Sequence, residues 1–307
     1  VLKVPAAADI ARADRNQRVA ISSSEAFTED MRPILAGRQG DLKVVSSCIA
    51  TEERRPGRTW RERRNAIPMT RLRRNELSNG LVVWQAEGLL ALGAIHAFTT
   101  RHGGSSSGAC ATLDLAGRGT REGVALENAR ENLTRLRAGL GVPASARTLG
   151  LHQIHGAEVI SDDGAPAGWP PPRGDVLTSD RSDALLMVRT ADCVPILLHD
   201  PENGAVAAVH SGWRGTVADA PGAAVRRLVD RHGTNPSELH AAIGPCIGRD
   251  RFEVGAEVAE AFHDAGLGTC VESRTPKPHI DLFRSVRRRL LDAGLDPERV
   301  EGTPICT

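Results

Sequence analysis

Three side chains able to ligate a soft or borderline metal ion stand at the ends of apolar segments: His155 in Gln-Ile-His-Gly, Cys193 in Thr-Ala-Asp-Cys and His210 in Val-His-Ser-Gly-Trp-Arg-Gly. Ends of buried strands are where α/β proteins build their sites. Zinc takes N and S donors in tetrahedral geometry, and a catalytic zinc keeps three protein ligands and one open position. Spacing alone leaves a second reading open, because a lone His or Cys near a strand end is commonly just packed. A third reading makes Cys193 a nucleophile activated by His210, as in cysteine hydrolases. That reading gives His155 no role, whereas zinc coordination uses all three.

The elements that must position these residues can be read from apolar periodicity. Residues 81–85 and 94–100 read as strands, ending at the glycine turn His102-Gly103-Gly104. Residues 122–140 place Val124, Leu126, Ala129, Leu133, Leu136 and Leu140 at mostly three- and four-residue spacing, which predicts an amphipathic helix closed by Gly141. A strand-like piece with an internal glycine turn, 149–160, precedes a Pro/Gly-rich loop at 164–174. Three short apolar runs follow at 183–189, 194–200 and 205–210; their near-continuous hydrophobicity predicts strands covered on both faces. The turn Pro201-Glu202-Asn203-Gly204 predicts that at least one pair is antiparallel. Helices are expected at 217–232, 254–265 and 283–294, with a strand at 239–244. Interleaved strands and helices make this a mixed α/β (α+β) domain with layered packing.

Composition narrows the function classes. A chain of 307 residues with 40% hydrophobic content can bury a sizeable core, and its net charge of +1 gives no reason to expect nucleic acid or an anionic membrane as a partner. Small-molecule chemistry is the better expectation. The six cysteines are spread without close pairs, which favours a reducing compartment. No apolar stretch approaches the ~20 residues needed to span a bilayer, and the first residues lack the apolar core of a signal peptide. A cytoplasmic location is expected. Residues 1–75, with a basic run from Arg54 to Arg74, are expected to form a poorly ordered extension, and 76–307 a single domain. No Met opens the chain and it stops at Cys306-Thr307, so both ends are expected to be incomplete.

The motifs add a resemblance. Gln153-Ile-His155-Gly156, Thr190-Ala-Asp-Cys193-Val-Pro195 and His210-Ser-Gly-Trp-Arg214-Gly215, in that order, resemble the YfiH laccase-domain family, formerly called polyphenol oxidases and now described as zinc-dependent purine nucleoside phosphorylases. His96-Ala-Phe-Thr-Thr-Arg101-His-Gly103-Gly104-Ser105, Gly244-Pro-Cys246-Ile-Gly248, Phe252-Glu253-Val254-Gly255 and Cys306-Thr307 extend the similarity over residues 90–307. The resemblance implies a layered α/β/β/α sandwich of the YfiH-like type with mixed sheets. It implies zinc on His155, Cys193 and His210, and phosphorolysis of adenosine, inosine, guanosine and methylthioadenosine to base and pentose 1-phosphate. Deamination of adenosine is implied as well, and zinc with an open position suits it by lowering the pKa of a bound water toward ~7.

Phosphorolysis needs an anion pocket. Arg101 beside Gly103 and Gly104, and Arg214 between Trp213 and Gly215, offer guanidinium groups for phosphate; the alternative for each is a structural ion pair. Asp192, next to Cys193, is a candidate to support the ligand or contact ribose, although strand-end aspartates often only cap turns. Cys246 is a candidate for the pocket lining, with tight packing as the alternative. Two features depart from the family pattern. Thr112-Leu113-Asp114 stands where many relatives carry Ser-Leu-Asn, placing a carboxylate where an amide is usual, and relatives continue past the Cys-Thr pair into an aromatic and arginine-rich segment. The C-terminal segment is therefore expected to be truncated. The partners implied are purine nucleosides and phosphate, with the protein a monomer.

Two further metal chemistries make distinct demands on the sequence. A multicopper oxidase holds several copper ions through close His-x-His pairs, and none of the ten histidines is so paired. A His2Cys set could still hold a single copper, which binds such donors more tightly than zinc. The nucleobase-deaminase signature Pro-Cys-x-x-Cys fails, because Pro245-Cys246 is followed by Ile247, Gly248 and Arg249. A role for Cys193 in peptidoglycan-precursor editing, attributed to some relatives, stays open.

Overall fold

The computed structural model describes residues 44–49, 72–108, 111–115, 124–162 and 171–307. The strands are β1 (Val44–Ile49), β2 (Leu72–Glu76), β3 (Val82–Ala86), β4 (Ile95–Thr99), β5 (Arg147–Gly150), β6 (Val159–Ser161), β7 (Val176–Ser179), β8 (Ala184–Thr190), β9 (Val194–His199), β10 (Val206–Ser211), β11 (His240–Ile243), β12 (Val271–Glu272), β13 (His279–Ile280) and β14 (Val300–Gly302). The helices are α1 (Glu87–Ala91), α2 (Val124–Gly139), α3 (Trp213–Val217), α4 (Ala220–His232), α5 (Ala256–Asp264) and α6 (Leu282–Asp292). Two six-stranded sheets dominate, in the orders β2-β3-β4-β1-β8-β5 and β14-β11-β9-β10-β7-β6. Each is mixed: β5 runs parallel to β8, β6 to β7 and β11 to β14, and the other pairs are antiparallel.

The two-residue period of the strands decides what each face buries. In β8, Ala184, Leu186 and Val188 point between the sheets and meet Leu197, Val206, Ala208 and Ala242 of the second sheet. Leu185 and Met187 point the other way. On the first sheet's outer face Val83 and Ala97 pack with Leu136 of α2. On the second sheet's outer face Val194, Ile196, Leu198, Ala207 and Val209 meet Val225 and Leu228 of α4, Phe262 of α5, and Val286 and Leu290 of α6. The result is the expected α/β/β/α sandwich, and no helix among the described residues is long and apolar enough to cross a membrane.

Several details differ from the sequence expectation. β1 lies inside 1–75, the segment expected to be an extension, and β2 begins in it and ends at Glu76; the two serines of β1 interrupt its apolar run, and β2 is a charged edge strand with Arg73 and Arg74 exposed. The rest of 1–75 lies outside the described residues. The single helix expected at 217–232 is two, because Asp219 turns left-handed at φ 62° and caps α4 by accepting from the Gly222 amide at 3.1 Å, with Pro221 in the first turn. Leu126, placed by spacing on the inner face of α2, is 52% exposed. The strand-like 149–160 piece splits between β5 and β6, which belong to different sheets.

Three histidines lie in the layer between the sheets. His199 and His240 are Cα partners across the β9–β11 ladder, and each leaves Nδ1 without a partner among the described residues. His96 is satisfied as a neutral ring: Nδ1 donates to the Ala94 carbonyl at 3.0 Å and Nε2 accepts from the Ala86 amide at 2.8 Å. Burial pushes all three well below the ordinary histidine value, to about 4. The unfolded chain takes up these protons near pH 6.5 and the folded chain resists them until about pH 4, so this stability is complete above pH 6.5 and is lost as pH falls toward 4. Glu301, which burial raises to about 7, acts in the opposite sense but is a single group. The urea midpoint is therefore expected to fall between pH 7 and pH 5, by a net loss of roughly 2–4 kcal/mol. A midpoint unchanged or higher at pH 5 would contradict this account of the inter-sheet layer.

Candidate metal centre

Cys193 ends the crossing from β8 in the first sheet to β9 in the second, and His210 is the penultimate residue of β10. The β9–β10 ladder pairs Val194 with Ser211, so its next step sets Cys193 opposite Gly212. A Cβ on Gly212 would stand 2.8 Å from Cys193 Sγ and 3.4 Å from His155 Cδ2, closer to the sulfur than a side chain can sit. Glycine at 212 therefore lets the strand-to-helix turn pass over the cluster. His155 arrives on the loop between β5 and β6, at φ 60°, a conformation that few non-glycine residues adopt.

These three side chains present one ligand atom each, all within 4.8 Å of one another, and they form the one such His/Cys/carboxylate group among the described residues. The His155 and His210 rings meet edge to face, with centroids 4.9 Å apart. Burial acts to raise the Cys193 thiol, but hydrogen bonds with His155 and His210 outweigh it and bring the thiol from 9.0 to about 6. Burial likewise acts to lower His210, and its hydrogen bonds to Asp175 and Cys193 outweigh that, lifting the ring to about 9. The surroundings thus favour positive charge beside a thiolate. One thiolate and two imidazoles converging in this way are donors suited to zinc or copper.

Sequence reasoning missed Asp175. It stands just before β7, its side chain is fully buried, and Oδ1 lies 2.7 Å from His210 Nδ1. The same carboxylate accepts from the amides of Ile154, His155 and Gly156 at 3.2, 3.0 and 2.8 Å. Burial would raise this carboxyl, yet the hydrogen bonds from His210, Gly156 and His155 hold it below its usual range. A lone Gly-Asp pair at the end of a Pro/Gly-rich loop carries no periodic signal, so only the assembled fold exposes it.

The other candidates fall into two groups. Arg214 is exposed at the start of α3, its guanidinium 4.3 Å from the Trp213 ring centroid. Arg101 instead turns Nε and one terminal nitrogen onto the Ala111 carbonyl at 3.0 and 2.7 Å, clamping its own loop. Gly103 is pressed against the β2–β3 turn, where a Cβ would stand 2.8 Å from the Gly80 carbonyl oxygen. Asp192 accepts from the Thr307 hydroxyl at 3.0 Å, and its carbonyl accepts from Ile247 at 2.9 Å. Cys246 belongs to the hydrophobic core and pairs with Cys306 in a β-bridge, and burial pushes its thiol up. Asp114 is buried.

Residues 95–307 match the family described as multi-copper polyphenol oxidoreductase laccase. A Deinococcus radiodurans protein named purine nucleoside phosphorylase is 41% identical over 209 residues, covering 67% of this chain and 78% of that protein. A protein from an unknown prokaryotic organism, named adenosine deaminase RL5, is 40% identical over 137 residues, covering 43% of this chain and 52% of that protein. The solved structure of the Bacillus licheniformis protein YfiH superposes with a TM-score of 0.66 at 22% identity, covering 73% of this chain and 86% of that one, and so bears out the fold.

The Gly212 contact generates a direct test. Gly212→Ala should displace the Cys193 thiol and weaken zinc binding roughly tenfold or more while the far-ultraviolet circular dichroism holds. Zinc affinity equal to that of the unsubstituted protein in a chelator competition would show that the turn does not crowd the cluster.

Proposed function

The chain belongs to the family described as multi-copper polyphenol oxidoreductase laccase, and on that premise we propose that it is a zinc-dependent purine nucleoside phosphorylase that also deaminates adenosine. The observation that carries the reading is a His-Cys-His cluster in a chain whose relatives are named purine nucleoside phosphorylase and adenosine deaminase. The multi-copper description fits the donors poorly, because the described residues contain one such cluster rather than several. Adenosine, inosine, guanosine and methylthioadenosine are the substrates this reading expects, with phosphate as the acceptor of the pentose.

In this reading His155, Cys193 and His210 hold the zinc. Zinc bound by three protein ligands supplies a Lewis acid and an acidified water, the chemistry that deamination requires. Arg214 is the main phosphate ligand: it is exposed, and stacking on Trp213 orients its planar fork for bidentate contact. Arg101 shapes the neighbouring loop through Ala111, with Gly103 seated on the β2–β3 turn, and its remaining nitrogen is the donor it can offer to phosphate. Asp192 anchors Thr307 beside the Cys193 loop, which makes it a support for the ligand.

One observation favours a second reading. Cys193, brought down to about 6 beside a His210 lifted to about 9, also resembles the thiolate–imidazolium pair of a cysteine nucleophile. Zinc-loaded protein incubated with adenosine should yield adenine and ribose 1-phosphate when phosphate is present, and inosine with or without it. Absence of adenine, hypoxanthine and inosine from protein carrying stoichiometric zinc would refute the phosphorylase reading, and phenol oxidation dependent on stoichiometric copper would replace it with the oxidase. Cys193→Ser should lose zinc and turnover together. Lost turnover with zinc fully retained would favour the nucleophile.

A further inference from the structure

We infer that Asp175 is the positioning residue of this metal centre: one carboxylate sets both the ring orientation of His210 and the backbone of the His155 loop, so that the donor set is assembled by the fold. The inference rests on the reading of His155, Cys193 and His210 as metal ligands.

The geometry begins with the main chain. The Asp175 carbonyl accepts from the His210 amide at 2.8 Å, continuing the β7–β10 ladder, while the Asp175 amide donates to the Glu158 carbonyl at 3.1 Å on the side of β6. The residue is thereby fixed between the strand that carries His210 and the segment that follows His155. Its side chain is completely buried, and a carboxylate in that position needs its lone pairs filled. Four donors fill them. Oδ1 accepts from the His155 amide at 3.0 Å and from His210 Nδ1 at 2.7 Å. Oδ2 accepts from the Ile154 amide at 3.2 Å and from the Gly156 amide at 2.8 Å.

Two consequences follow for the ligands. An ionised carboxylate only accepts, so His210 Nδ1 must carry its hydrogen, and Nε2 is the nitrogen His210 offers to a metal. The three successive amides of residues 154–156 form a concave nest closed on the same carboxylate. That nest holds His155 at φ 60°, a left-handed conformation in which the Cβ of a non-glycine residue is crowded against its own backbone. Gly215 completes the arrangement: a Cβ there would lie 2.9 Å from the Gly156 carbonyl oxygen, so the first turn of α3 rests on the nest. Both imidazole ligands therefore answer to a single side chain. An asparagine cannot replace it, because its amide presents one accepting oxygen and one donating NH2. Turned one way, its NH2 faces the amides of Ile154 and Gly156; turned the other, it faces the His155 amide and obliges His210 Nδ1 to accept, which moves the imidazole proton onto Nε2, the nitrogen offered to the metal.

The test uses the full chain and zinc. Wild type should bind one zinc, and Asp175→Asn should bind it roughly 10- to 100-fold more weakly in a chelator competition, with little change in the circular dichroism spectrum. In zinc-loaded wild type, imidazole 15N spectra should show His210 protonated at Nδ1 and metal-bound at Nε2. A purely structural role would not dictate that assignment. Asp175→Asn with wild-type affinity, or His210 bound through Nδ1, would overturn the inference while leaving the metal reading intact. A wild type that binds no zinc would instead overturn the metal reading and this inference with it. If Asp175→Asn fails to fold, the 15N assignment of wild type decides.

Discussion

The buried contact between Asp175 and His210, 2.7 Å long, is the interaction on which the rest of the site depends. A carboxylate withdrawn from water is costly unless every lone pair is met and charge is balanced nearby. Here the balance comes from His210 and from the amides of Ile154, His155 and Gly156. The solution joins two stretches far apart in sequence, the β5–β6 loop and the end of β10. The same requirement accounts for a left-handed His155, at whose φ of 60° the three consecutive amides of residues 154–156 all meet the one carboxylate.

Cys193 comes to the site by a different route. The chain leaves the first sheet after Thr190 and enters the second at Val194, so Cys193 sits on the crossing between layers. Such a crossing must be tight, and glycines make it so. A Cβ on Gly244 would lie 2.6 Å from Phe98 Cε1 and 2.8 Å from Pro195 Cγ, which ties the Gly-Pro-Cys turn to sheet packing beside the Cys193 loop. Thr216 closes the turn on the other side, its hydroxyl donating to the Gly212 carbonyl at 2.9 Å. Arg289 of α6 then donates to the Thr216 and Val217 carbonyls at 3.1 and 3.0 Å, satisfying the end of α3. The motif glycines are thus where the backbone is closely approached: Gly244 by Phe98 and Pro195, and Gly212 by Cys193 and His155.

Local periodicity made much of this legible. The runs at 183–189, 194–200 and 205–210 became β8, β9 and β10 within a residue or two, and the Pro201–Gly204 turn does join an antiparallel pair. Residue type and motif order singled out His155, Cys193 and His210, and the fold brings one potential donor atom of each together. Sheet membership was not legible, because β8 and β9 have the same apolar texture yet lie in different layers, a distinction set by long-range pairing. Asp175 was invisible for a similar reason: its donors come from residues 154–156 and 210. Arg101 shows the opposite limit. Its type suggests anion binding, and only its geometry reveals that two nitrogens clasp the Ala111 carbonyl.

The central claim is that one metal ion sits on a single thiolate and two imidazoles. X-ray absorption at the zinc edge of the stoichiometrically loaded protein measures that donor set without reference to turnover. The account predicts one sulfur at about 2.3 Å and nitrogen or oxygen neighbours at about 2.0–2.1 Å. A shell of nitrogen and oxygen alone, or one containing two or more sulfurs, would contradict it.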